Sequence, residues 1–220
     1  MTDEEFGREY RAAMGWRTPV IHDAELPMEY PVCRYRFSDG TDVTAVCPDI
    51  PLEDVPPGCG LMETLAELFD LEQVRATPER VLGFYAPKSA FGEDLPAIGD
   101  AAALDALLGA LDDRDRAWGE VAVSDDFTAC ILREGRMLAA AGALRLGKLA
   151  DISLCVHPLW RGQGLGSRVL CALLRKIQRA GCIPLYRVEE GNAPSVRLAR
   201  RVGLAQGYAM EGALLTFPEG

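Results

Sequence analysis

Apolar residues alternate from Ala150 to Val156, with Ile152, Leu154 and Val156 on one face, the spacing of a half-buried strand. Further on, Leu165, Val169, Leu173 and Ile177 recur at four-residue steps, and Leu170 and Leu174 widen the stripe, which predicts an amphipathic helix stopping at Gly181. Between the two lies VHPLWRGQGLGS, residues 156–167: strand end, short loop, glycine-rich turn, helix start. Upstream, 127–132 and 137–146 read as strands around the turn 133–136. A turn at Gly147 and Lys148 leads into strand 149–156, so 127–156 predicts an antiparallel meander. Asp94–Ile98 reads as a strand. Asp100 caps a helix over 101–111 with Leu104, Leu107, Leu108 and Leu111 on one face, and 112–118 forms a second short helix. After Gly181, Ile183–Val188 is a strand, Asn192 or Ala193 opens a helix ending at Gly203, and Tyr208–Phe217 supplies closing strands.

The first ninety positions are less regular. Glu5–Met14 suits a short helix, and Thr18–Pro31 is irregular. Val32–Phe37 and Asp42–Val46 alternate around Ser38-Asp39-Gly40-Thr41 as a hairpin does. Pro48, Pro51, Pro56, Pro57, Gly58 and Gly60 mark an extended connection, and Leu61–Phe69 is helical. Thr77-Pro78-Glu79-Arg80 has the order of a cap, an N1 proline and a first turn. A boundary near 87–92 divides the chain into an accessory region, 1–90, and a main domain, 91–220.

Composition narrows the class without naming it. The chain has 220 residues, 49% of them hydrophobic and 25% charged, as in an ordinary globular enzyme. No apolar run reaches the ~20 residues that span a bilayer, and the acidic start MTDEEFGREY is no secretory signal. Seven cysteines, an odd count without a CxxC pair, fit neither a disulfide framework nor a zinc knuckle, so a reducing cytoplasm and no metal are expected. A net charge of −10 argues against nucleic acid as partner. The charge is uneven, however: Arg161–Arg201 holds nine basic and two acidic residues. Such an island suits a small polyanion, and equally two helices with solvated arginine faces.

The glycine turn is where chemistry concentrates. Gly162, Gly164 and Gly166 leave backbone N–H groups open at a helix N-terminus, where the dipole favours a phosphate or pyrophosphate. Arg161 adds a fork-shaped anion partner. A dinucleotide fold is the physical rival, with Glu189 and Glu190 as its acidic strand end. The glycines are nevertheless spaced G-x-G-x-G, and the preceding strand belongs to a meander.

Two motifs then carry a resemblance. Arg161-Gly162-Gln163-Gly164-Leu165-Gly166 is similar to the R/Q-x-x-G-x-G/A loop, and Asn192-Ala193-Pro194-Ser195-Val196-Arg197-Leu198, followed by Gly203-Leu204, is similar to N-x-x-S-x-x-L…G-F with Leu204 for phenylalanine. Over about 94–220 the chain resembles the GNAT superfamily of N-acetyltransferases. The resemblance implies an α+β class with a mixed sheet, the GNAT acyl-CoA N-acyltransferase fold, carrying 1–90 as an additional N-terminal segment. It implies acetyl-CoA as cosubstrate, no metal, and an amine of a small molecule or peptide as acceptor. A homodimer is compatible with it; nucleic acid and membrane are not expected partners.

The same resemblance assigns roles. Acetyl-CoA would lie where strand 149–156 diverges from strand 183–188, with its diphosphate on the amides of Gln163, Gly164, Leu165, Gly166 and Ser167, beside Arg161 and Gly162. The pantetheine arm would pair with Leu154, Cys155 and Val156 and bond Asn192, with Ser195 in the same motif. The N–H of Cys155 or Val156 would polarise the thioester carbonyl. Arg168, Arg197 or Arg200 would meet the 3′-phosphate. Asp151 is the candidate base, its pKa expected to rise by burial, with Glu189 in reserve. Ala199 stands where many relatives carry a tyrosine aimed at the leaving sulfur; Tyr208 is the weak candidate acid in its stead. His157 and Trp160 read as loop-positioning residues, and His22 stands alone. Two alternatives remain: a CoA-binding or sensing module without turnover, and transfer of a longer acyl group.

Overall fold

The computed structural model describes residues 1–55, 59–90 and 92–217, with backbone alone at 117 and 118. In chain order the elements are α1 Asp3–Ala13, β1 Val20–His22, β2 Val32–Phe37, β3 Asp42–Val46, α2 Leu61–Leu68, β4 Arg75–Tyr85, α3 Ala101–Gly109, α4 Asp113–Trp118, β5 Phe127–Arg133, β6 Arg136–Leu146, β7 Leu149–Val156, α5 Leu165–Arg179, β8 Ile183–Glu189, α6 Ala193–Arg201 and β9 Ala205–Thr216. They form two compact units. One comprises 2–83, 188–192 and 206–220, and the other comprises 84–187 and 193–205 with Met1.

In the unit holding the N-terminal residues, Thr2 and Glu5 form a capping box on α1. β2 and β3 are the expected hairpin; β1 runs parallel to β3, and β2 pairs antiparallel with β9. A cluster of Val32, Val46, Cys47, Ile50, Leu61, Leu65 and Leu215 forms its core. Phe6, Tyr10, Trp16, Tyr35, Phe37 and Tyr208 form an aromatic cluster, with Tyr10 and Tyr208 ring centroids 5.0 Å apart at 62°. That cluster is why two glycines are small: a Cβ on Gly207 would lie 2.1 Å from the Phe6 ring, and one on Gly83 2.2 Å from the Tyr208 ring.

Three expectations fail. Thr77–Arg80 does not open a helix, because Arg75–Tyr85 is one strand. Leu82–Tyr85 is a buried aromatic and aliphatic run, and Pro78 falls in the exposed half, where a missing N–H costs little. The Arg80 carbonyl accepts from the Glu190 N–H (2.9 Å), a bond an opening helical turn would not offer. The closing strands over 208–217 are instead one strand, β9. Asp94–Ile98 is extended without joining a ladder: Pro96 lacks a donor, and its carbonyl takes the Cys130 N–H (3.0 Å) while the Ile98 N–H bonds the Thr128 hydroxyl (3.0 Å). Positions 56–58 of the proline-marked connection lie outside the described residues.

The other unit contains the meander. β5, β6 and β7 are antiparallel neighbours, and β7 pairs parallel with β8. Glu134 and Gly135 both have positive φ (51° and 76°), the geometry of a two-residue hairpin turn matched to strand twist. On one face, Leu104, Leu107 and Leu111 pack with Cys130, Met137, Ala140 and Cys155. Against the sheet α5 buries Leu165, Val169, Leu170, Leu173, Leu174 and Ile177, the predicted stripe complete. Gly181 closes this helix at φ 74°, and Gly203 follows α6 at φ 82°.

Asp39 joins α1 to the β2–β3 turn. Its carboxylate accepts from the Thr41 N–H (2.9 Å) and pairs with Arg11 (3.2 Å). Burial raises its pKa, but the Thr41 and Arg11 bonds outweigh that and hold it below the usual carboxylate range. A depressed folded-state pKa contributes stability above the unfolded value and loses it as pH falls. Asp39→Asn therefore costs about 1 kcal/mol at pH 7, and the gap to wild type closes as pH drops below about 4, as chemical denaturation across pH will show.

Candidate active site

The site is defined by where strand pairing stops. β7 and β8 are in register only at Leu149↔Ile183, Ala150↔Pro184 and Asp151↔Leu185; beyond these the strands part. On the other edge, β7 stays paired with β6 through Val156↔Ala139. His157 donates its N–H to the Leu138 carbonyl (2.9 Å). The antiparallel alternation then turns the main-chain groups of Asp151, Ser153 and Cys155 toward β6, and those of Leu154 and Val156 away from it, into the gap. Cys155 is thus corrected as a main-chain donor to a ligand: its N–H faces β6, and Leu154 and Val156 supply the free groups. The Val156 carbonyl accepts from Arg161 Nε (3.3 Å).

Directly after β7, His157 Nδ1 accepts the Leu159 N–H (3.3 Å) and shapes a short 3-10 turn over Pro158–Trp160, and Arg133 lies 5.4 Å above the Trp160 ring. His157 positions the loop through that bond. Gly162 (φ 76°) and Gly164 (φ 80°) then turn the chain into α5, with Gly164 as an N-cap lacking any side-chain oxygen. The first helical bond is Arg168 N–H to the Gly164 carbonyl (3.1 Å). Among the described residues, the N–H groups of Gln163, Gly164, Leu165, Gly166 and Ser167 have no protein acceptor. Five donors and a helix dipole face the end of the gap. Such an arrangement suits an anion.

The side chains are less free than the sequence suggested. Arg161 pairs with Asp115 (2.6 Å), so its guanidinium is already engaged within the protein. Arg168 pairs with Glu93 (2.6 Å) and holds that carboxyl below its usual range, whereas Arg197 and Arg200 are exposed. Ser195 is hydrogen-bonded to Tyr186, whose phenol is raised by burial. Asp151, 17% exposed, is not the isolated base expected: Arg187 holds both its oxygens, Nε on Oδ1 (3.1 Å) and Nη2 on Oδ2. Arg187 was missed by sequence reasoning. The available signal was a single charge inside the apolar strand Ile183–Val188, opposite a single charge inside β7.

Three expected residues lie in the other unit. The Asn192 N–H bonds the Glu189 carbonyl (2.9 Å), and Glu189 ends β8. Tyr208 is 1% exposed within the aromatic cluster, the setting of a core residue. No group of metal-ligating side chains occurs among the described residues.

The site is thus a gap between diverging parallel strands, edged by main-chain groups of Leu154 and Val156, with the start of α5 at its end. The acetyltransferase (GNAT) family model matches residues 100–204. A GNAT-family protein of Novosphingobium aromaticivorans is 24% identical with a TM-score of 0.52, over 67% of this chain and 69% of that one. A GNAT-family acetyltransferase of Colwellia psychrerythraea is 19% identical (TM-score 0.51; 64% of this chain, 58% of that one). A GCN5-related N-acetyltransferase of Sphaerobacter thermophilus is 15% identical (TM-score 0.53; 72% of this chain, 58% of that one). The chain thus spans less than two thirds of the length of two of these three, and at these identities the likeness establishes the fold. A comparison with curated proteins returns no match.

Cys155 is buried at the wall of the gap, its thiol pushed up to about 12 by burial. It stays neutral at pH 8 and resists iodoacetamide in the folded protein, while half-buried Cys59 reacts first; peptide mass mapping after a timed pulse checks this order.

Proposed function

We propose that the protein is an acetyl-CoA-dependent N-acetyltransferase acting on a primary amine, with residues 91–220 as the transferase domain and 1–90 as an accessory region. One observation carries the reading: the unsatisfied amides of residues 163–167 stand at the end of the β7–β8 gap. The diphosphate takes those amides, with Gly162 and Gly164 allowing close approach. The pantetheine arm runs back along β7, pairing with Leu154 and Val156 as an added strand. Arg197 and Arg200 are the cations left for the 3′-phosphate. The amine attacks the thioester directly and thiolate departs, a tolerable leaving group at a pKa near ~8.5. Asp151 receives the amine's proton once Arg187 yields, with Glu189 in reserve. The reduced cysteines suit a cytoplasmic setting.

A second reading is favoured by the engaged state of Asp151 and Ser195: acyl-CoA is bound without transfer. Thiol release from acetyl-CoA with an amine panel distinguishes the two, and a series of acyl-CoA lengths sets the chain length accepted. Acetyl-CoA at a hundred times Kd raises stability by about 2.7 kcal/mol. The amide cradle has its own test at Gly166, where an added Cβ meets nothing closer than 3.5 Å. Gly166→Ala keeps the N–H and binds CoA like wild type, whereas Gly166→Pro removes it in a helical first turn that tolerates proline and weakens binding about tenfold or more, read by calorimetry.

A further inference from the structure

The Asp151–Arg187 pair stands where β7 and β8 part: Asp151 belongs to the last paired register, opposite Leu185, and Arg187 lies two residues further along β8. Odd-numbered side chains of β7 share a face: a Cβ on Gly119 would lie 3.1 Å from Cys155 Cβ, which puts that face on the side of α4. Val156, of the opposite parity, lies on the side of Gly166 and Leu198. Asp151 and Arg187 therefore face α4, away from α5 and α6. This placement rests on the acyl-CoA reading above: with the diphosphate at 163–167, the arm runs down β7 and its thioester ends near the bottom of the gap. The ion pair then floors the space from which an acceptor must come.

From this we infer that the acceptor is an α-amino acid, its ammonium received by Asp151 and its carboxylate by Arg187. The pair presents both signs side by side, with Asp151 largely covered and Arg187 55% exposed. A ligand of one charge that took either partner would strip the other of its charge-assisted bonds, which is costly for the covered carboxylate. A zwitterion with both charges on one carbon replaces each half of the pair by its like, so no charge is left unmatched. Exchange also frees Asp151 for proton transfer. The ammonium gives one proton to Asp151 and thence to solvent. The amine lone pair forms the C–N bond as the C–S bond breaks, sulfur leaves with the bonding electrons, and the second nitrogen proton ends on the CoA thiol.

The test uses the full chain with acetyl-CoA and three forms of one side chain: L-leucine, L-leucinamide and 3-methylbutylamine, then the same comparison for other amino acids. Thiol release gives kcat and KM, and calorimetry on CoA-saturated protein gives binding. Acids are expected to exceed their amides about tenfold or more in kcat/KM or in affinity. In Arg187→Gln that ratio collapses through KM of the acid, and Arg187→Lys restores part of it; unchanged melting temperatures exclude misfolding, and Arg187→Lys alone suffices should Arg187→Gln not fold. Amides or plain amines used as well as acids, a ratio unmoved in Arg187→Gln, or no amino acid bound by CoA-saturated protein would each overturn the inference and leave the acyl-CoA reading standing. Absence of CoA binding itself sinks both.

Discussion

Everything at the site follows from three residue pairs. β7 and β8 are bonded as parallel neighbours only at 149–151 and 183–185, and the main-chain groups that a fourth and fifth pair would satisfy are left over. Buried or half-buried peptide groups without partners are costly, so a fold keeps such a row only where something else can complete it. On the function proposed above, an extended ligand with amides of its own would complete it. The same divergence places the start of α5 at the open end, so one geometric event leaves both the row of strand groups and the helix-start amides available.

The backbone supplies most of that seat, and the sequence shows why. Gly164 caps α5 with no oxygen of its own and a left-handed φ, so no side chain competes for the first amides. Arg161, which composition offered as the anion partner, pairs with Asp115 and the Val156 carbonyl and stiffens the turn instead. Recognition by fixed dipoles needs little rearrangement when the ligand arrives.

Local pattern was legible where a single element decides its own structure. The stripe Leu165–Ile177, the meander turns with Gly135 and Gly147, and the cap Asp100 were readable because periodicity and cap chemistry act within a few residues. Thr77–Arg80 misled because its cap-like order was overruled by the buried run after it, a tertiary choice. Asp151 was found but its partner was not, since Arg187 lies 36 positions away and only register brings the two together. Likewise the direction of the Cys155 N–H depends on which β6 residue faces it, and no spacing rule contains that.

The chain's last strand is stitched to its first half: β9 pairs with β2, and Gly207 and Gly83 are fitted to Phe6 and Tyr208. A fragment starting at residue 84 would keep β9 yet lose β2, baring a ladder edge and a sheared aromatic surface. Such a fragment would self-associate through that raw margin. Evolution, gene fusion and laboratory dissection all face the same restriction: the opening eighty residues cannot be shed as a detachable appendage, because the closing dozen are already woven into them.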